Sequence, residues 1–200
     1  VEIPTNSNLQ TIERYAFSET NIEEIYFPES LNELKERWCN GTQNLKKIII
    51  SPSNKQFIFK DDKYLLGKSD IKNEEFDILL YVRRDIKEIF IPSNIKIIGS
   101  FSFSSSKIEE ISIPSNVTKI NEYGFFRCFN LRKVEIPTNS NLQTIERYAF
   151  SETNIEEIYF PESLNELKER WCNGTQNLKK IIISPSNKQF IFKDDKYLLG

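Results

Sequence analysis

Residues 1–67 return unchanged as residues 134–200, an offset of 133 positions. Inside that long repeat runs a shorter beat, marked by Ile3-Pro4, Phe27-Pro28, Ile91-Pro92, Ile113-Pro114, Ile136-Pro137 and Phe160-Pro161. Adjacent members of its runs stand 22 to 24 residues apart. Fixed periods of about 20–50 residues mark solenoids, because a unit that short cannot enclose a core and buries its apolar face only against its neighbours. The expectation is one stacked array over residues 1–200, an excerpt of a longer one, whose role is to display a surface.

Each unit opens with the same frame. Leu131, Val134 and Ile136 place apolar residues at positions 1, 4 and 6, and the pattern holds for Ile22/Ile25/Phe27, Leu45/Ile48/Ile50 and Ile86/Ile89/Ile91. It holds again for Ile108/Ile111/Ile113, Ile155/Ile158/Phe160 and Leu178/Ile181/Ile183. β-Branched residues at alternate positions suit an extended strand, and a proline without an N–H donor ends it. A second half follows with two apolar residues three apart, such as Ile95 and Ile98, or Val117 and Ile120. An aromatic then closes the unit: Phe17, Trp38, Phe103, Phe125, Phe150 or Trp171. These aromatics are expected to stack into a spine. One unit departs from the pattern: residues 45–85 carry a polar loop at 68–75 between short apolar runs, read as a β-hairpin elaborated from the array.

The frame resembles the L-x-x-L-x-L strand of leucine-rich repeats. The unit Ile108-x-x-Ile111-x-Ile113-Pro114-Ser115-Asn116-Val117-x-x-Ile120, closed by Phe125, Cys128 and Leu131, is similar to the treponemal-type repeat of BspA-like surface proteins. That resemblance covers essentially the whole chain. It implies an α/β horseshoe or right-handed superhelix, dominated by β structure, with a parallel sheet on its concave face. It also implies a place on the cell surface and attachment to extracellular matrix or host cells.

Composition narrows the partners. Lysine plus arginine and aspartate plus glutamate nearly balance, for a net charge of −2 with interleaved signs. A nucleic-acid footprint needs a basic stripe instead. No apolar run approaches a membrane span. There is no histidine, Gly-rich phosphate loop, Cys-x-x-Cys pair or Gly-x-Ser-x-Gly elbow, so neither catalytic residues nor a cofactor or metal are expected. Cys39, Cys128 and Cys172 read as small buried hydrophobes.

The surface positions of the first strands carry the functional reading. Charge signs at positions 2 and 3 mostly alternate between neighbouring strands, as in Glu24 and Lys47 or Glu157 and Lys180, which predicts a salt ladder. Position 5 holds Tyr26, Ile49, Phe90, Ser112, Glu135, Tyr159 and Ile182. Aromatic anchors on a charged sheet suit protein binding, so Tyr26, Ile49, Phe90, Tyr159 and Ile182 are the candidate ligand-binding residues. Asn40, Asn116 and Asn173 head Asn-x-Thr sequons and are candidate N-glycosylation sites if the chain is secreted. The expected function is a non-catalytic module that recognises a protein or glycoprotein at the cell surface. The alternatives are an intracellular scaffold and a passive surface coat. Exposed array ends add the expectation of end-to-end self-association.

Overall fold

A computed structural model describes residues 3–193 and 197–199. The chain winds as a solenoid whose front strands pair parallel and in register. Glu24–Phe27 lies beside Lys47–Ile50, and farther on Glu110–Ser112, Lys133–Glu135, Glu157–Phe160 and Lys180–Ile183 form a second parallel run. Along each front strand positions 4 and 6 point inward and positions 3 and 5 outward, as in exposed Glu24, buried Ile25, half-buried Tyr26 and buried Phe27. On the opposite side run two-residue strands. Thr11–Ile12 pairs with Glu33–Leu34, and Ile97–Ile98 is followed by Lys119–Ile120, Thr144–Ile145 and Glu166–Leu167, all parallel.

The helical part of the expected α/β horseshoe is corrected: no helix forms among the described residues. The backbone itself excludes one. Each ordinary unit carries two residues in the left-handed region, four apart. Tyr15, Arg37, Phe101, Tyr123, Tyr148 and Arg170 hold the first place, and Glu19, Gly41, Ser105, Arg127, Glu152 and Gly174 the second. A right-handed helix cannot run through such positions. Each unit instead turns sharply twice, tucking its aromatic inward. The residue after the second turn caps the stack: Thr42 and Thr175 hydroxyls and the Cys128 thiol donate to the carbonyls of Phe17, Phe150 and Phe103 in the preceding units.

The aromatic spine is present. Phe103 and Phe125 stack with centroids 4.6 Å apart, Phe125 and Phe150 at 5.0 Å, and Trp171 meets Phe150 edge-on at 6.3 Å. The elongated unit folds as a three-stranded antiparallel meander, Phe57–Lys60, Tyr64–Gly67 and Ile78–Val82. Its last strand pairs parallel with Ile97–Ile98 and so takes the back-strand place of its own unit. Tyr81 thereby enters the spine, 6.1 Å from Trp38, with its hydroxyl on the Leu45 carbonyl at 2.7 Å. Arg84 lies buried in the capping place, its guanidinium over the Tyr81 ring and donating to the Ser102 and Phe101 carbonyls. Because strand side chains alternate, the meander is apolar on both faces. Phe57, Leu65 and Tyr81 join the smaller N-terminal cluster, and Tyr64, Leu66, Leu79 and Val82 join the larger one. It is a wall across the core.

One expected strand is absent. Ile86, Ile89 and Ile91 fit the frame, yet residues 86–91 pair with no neighbour in a ladder. The rung before them runs off into the meander, and a single backbone bond, from Glu109 N–H to the Lys87 carbonyl at 3.3 Å, ties them to the rung after. The front sheet is therefore broken at this point. No helix among the described residues is long and apolar enough to cross a membrane.

Candidate functional site

Inward packing of positions 4 and 6 leaves positions 2, 3 and 5 of each rung outside, and these build the front face. The salt ladder forms there. Lys47 meets Glu24 at 2.7 Å, Lys179 meets Glu156 at 3.6 Å and Lys180 meets Glu157 at 3.9 Å, all between adjacent rungs. Lys133 instead turns along its own strand to Glu135 at 2.6 Å, and Glu135 also accepts from the Ser112 hydroxyl at 2.5 Å. These contacts hold the Glu135 carboxyl below its ordinary range, first through the hydrogen bond from Lys133. All these pairs are open to water, so they serve register more than stability.

The candidate ligand residues fall into two pairs and one outlier. Tyr26 stands opposite Ile49, and Tyr159 opposite Ile182, in matching registers of the two identical segments. All four are half-buried and offer an apolar strip between charged columns. Phe90 stands apart at 94% exposure, on the rung that lost its ladder. A groove of about 190 Å³ lies beside it, lined by Glu88, Ile89, Phe90, Glu110, Ile111, Ser112 and Glu135. A second, of about 280 Å³, opens where Ile48 and Ile50 meet Phe57, Phe59 and Phe76 of the meander.

The sequon asparagines sit on turns. Asn40 precedes left-handed Gly41, and its threonine, Thr42, is buried in the capping column, so this triplet builds the turn. Asn173 is the same position in the second copy and is exposed. Asn116 is exposed too, with its amide donating to the Ser93 carbonyl of the previous unit at 2.8 Å.

The thiols are kept from chemistry by their surroundings. Burial pushes Cys39 up to about 12 and Cys128 and Cys172 up to about 11. They are protonated side chains that fill space.

A surface column escaped the sequence reading. The first left-handed residues of successive units align along one edge: Tyr123 stacks between Phe101 at 4.6 Å and Tyr148 at 4.9 Å, and Arg37 lies over Phe101 at 4.8 Å while bonding the Tyr15 hydroxyl. Arg170 closes it on the Tyr148 hydroxyl at 2.9 Å. The signal was the residue two places before each spine phenylalanine, aromatic in every such unit: Tyr15, Phe101, Tyr123 and Tyr148.

A solenoid of short parallel rungs, each bearing the L-x-x-L-x-L frame on one face, is a leucine-rich repeat protein. The chain belongs to the BspA-type leucine-rich repeat family, whose model matches residues 1–65 and 70–196 in six copies. No match was found among curated proteins. Among solved structures, the pneumococcal vaccine antigen PcpA has the same fold, with a TM-score of 0.79 and 24% identity over 92% of this chain. A leucine-rich cell surface protein from Faecalibacterium prausnitzii follows at 0.66 and 20% identity over 90%. The chain spans 44% and 53% of the length of these two.

Proposed function

We propose that the chain is a non-catalytic recognition module of a cell surface, binding a protein or glycoprotein of the matrix or of a host cell through its front face. The observation that carries this is the position-5 strip. Tyr26, Ile49, Phe90, Tyr159 and Ile182 leave apolar surface on a sheet whose other outward positions are charged. Water gains when such surface is covered, and tyrosines anchored in a polar surround are the residues on which interface energy concentrates. Two structural neighbours, a vaccine antigen and a cell surface protein, support the surface placement. Because Tyr26/Ile49 and Tyr159/Ile182 are copies on one body, a partner with repeated epitopes would be held by both, and avidity would exceed either contact.

Beads coated with the chain, applied to a reconstituted basement-membrane matrix and to cultured epithelial cells, test the reading. The joint variant Tyr26→Ala, Ile49→Ala, Tyr159→Ala, Ile182→Ala should lose about tenfold or more in attachment while keeping its circular dichroism spectrum. Unchanged attachment would remove the front face from the function, and attachment absent even for the unmodified chain would favour a scaffold or a coat.

A further inference from the structure

Three irregularities coincide on the front face. Among the described residues, the front strand ladder fails between residues 86–91 and their neighbours. Phe90, at the outward position of that rung, has almost no protein against it. Sign alternation at position 3 also stops here: Glu24 faces Lys47, Glu110 faces Lys133, Lys133 faces Glu157 and Glu157 faces Lys180, but Glu88 and Glu110 stand on adjacent rungs as like charges. The two carboxylates bring negative charge to both sides of the groove. Lys87 is drawn to Glu109 at 3.7 Å, and Lys133, opposite Glu110 in register, turns to Glu135 while still attracting Glu110 through space. Neither Glu88 nor Glu110 has an ion partner among the described residues.

We infer that the groove between residues 88–90 and 110–112 is a subsite for one arginine side chain presented by the protein partner. This deepens the proposed front-face function and rests on it. The groove, about 190 Å³, holds a single long side chain. A guanidinium laid on the Phe90 ring gains a cation–π contact on an otherwise wasted aromatic face. Its planar fork reaches the carboxylates on both rungs, which a compact ammonium on a flexible stem does less well. The cation also complements the negative charge that Glu88 and Glu110 bring to the groove. Ser112 and Glu135 close the far wall.

The test is a ¹⁵N–¹H titration of the full chain with N-acetyl-arginine methylamide, alongside its uncharged citrulline isostere. Saturable shifts confined to residues 88–90 and 110–112 are expected, with a dissociation constant on the order of millimolar and citrulline weaker by about fivefold or more. Phe90→Ala and the pair Glu88→Gln, Glu110→Gln should each weaken arginine by about fivefold; Phe90 contributes nothing to the core, so these variants fold. Glu157→Gln, on a distant rung, should leave it unchanged. Shifts spread over all front-face glutamates, equal binding of citrulline, or indifference to Phe90→Ala would overturn the subsite. Bead attachment separates the two readings. Attachment that depends on Tyr26 and Tyr159 without any arginine binding would overturn the subsite and leave the face standing. Arginine binding without attachment that depends on the front face would do the reverse.

Discussion

At the residue scale the same side chain is worth very different amounts according to whether its place in the repeat faces the core or the solvent. Phe125 and Phe90 are both phenylalanines of the repeat, but Phe125 lies fully buried between Phe103 and Phe150. Phe125→Ala should cost about 3–5 kcal/mol by cavity formation, whereas Phe90→Ala should stay within about 0.5 kcal/mol; urea unfolding monitored by circular dichroism measures both. The alternation of branched residues made the inward set readable from sequence. The isolation of Phe90 was not readable, because its frame matches every other rung and the difference lies in a neighbour that turned away. The buried thiol of Cys128 gives a pH test. Its folded value is raised from 9.0 to about 11 by burial, so both states are protonated at neutral pH and no stability is lost there. Above pH 9 the unfolded chain releases the proton and the folded chain does not, so stability falls as pH rises towards 11. That thiol alone should account for up to about 3 kcal/mol of the fall. Stability measured at pH 8 and pH 11 should therefore drop less in Cys128→Ala than in the unmodified chain.

At the element scale the meander is what separates this array from a uniform stack. Two polar side chains organise it. Asn54 bonds the Pro28 and Leu31 carbonyls and accepts from the amides of Gln56 and Phe57, aiming the chain into the first strand. Buried Asp77 accepts from the amide and hydroxyl of Ser69 at 2.8 and 2.7 Å and from the Asn73 amide, fastening the loop back onto the last strand. Asp77→Ala should therefore release residues 68–76 without unfolding the sheets, seen as faster trypsin cleavage at Lys68 or Lys72 with little change in melting temperature. Gly99 tests the join to the back ladder: a Cβ there would come within 2.7 Å of the Leu79 carbonyl oxygen. Backbone cannot step aside as a side chain can, so Gly99→Ala should cost about 1–3 kcal/mol in the same unfolding assay. The apolar runs of residues 57–59, 64–66 and 78–81 showed where strands would lie. Their two-faced packing was invisible, since a run apolar on both sides reads alike whether it shields one core or divides two. The turns were hidden for another reason. Tyrosine, arginine, phenylalanine and glutamate host most left-handed positions, and among the described residues only Gly41, Gly174 and the Asp61-Asp62 pair carry the usual mark.

At the scale of the whole molecule, identical sequence does not mean identical environment. The second copy stacks on the unit before it, Phe150 on Phe125 at 5.0 Å, while the first copy ends against the meander, where Trp38 meets Tyr81 at 6.1 Å. In a solenoid stability is the sum of unit terms and neighbour interfaces, so the two copies should not open together. The meander sharpens the division. It separates a smaller cluster around Ile25, Phe27, Trp38 and Leu45 from a larger one running from Tyr64 to Phe190, and the front ladder does not bridge the break at residues 86–91. Each cluster keeps its own hydrogen-bonded front sheet, and across the wall they share packing and the Arg84 and Arg37 contacts. Native-state hydrogen exchange in rising urea should therefore show two opening units. Amides of residues 25–27 and 48–50 should exchange at lower denaturant than those of residues 158–160 and 181–183, although the sequences are the same. Arg84→Met removes donors from the Ser102 and Phe101 carbonyls at the wall, along with its contact to Cys39 of the first copy. It should widen the gap between the two transitions by about 1–3 kcal/mol. A single transition shared by both copies would mean that the wall couples the clusters rather than divides them, and the array would then answer a ligand on its front face as one body.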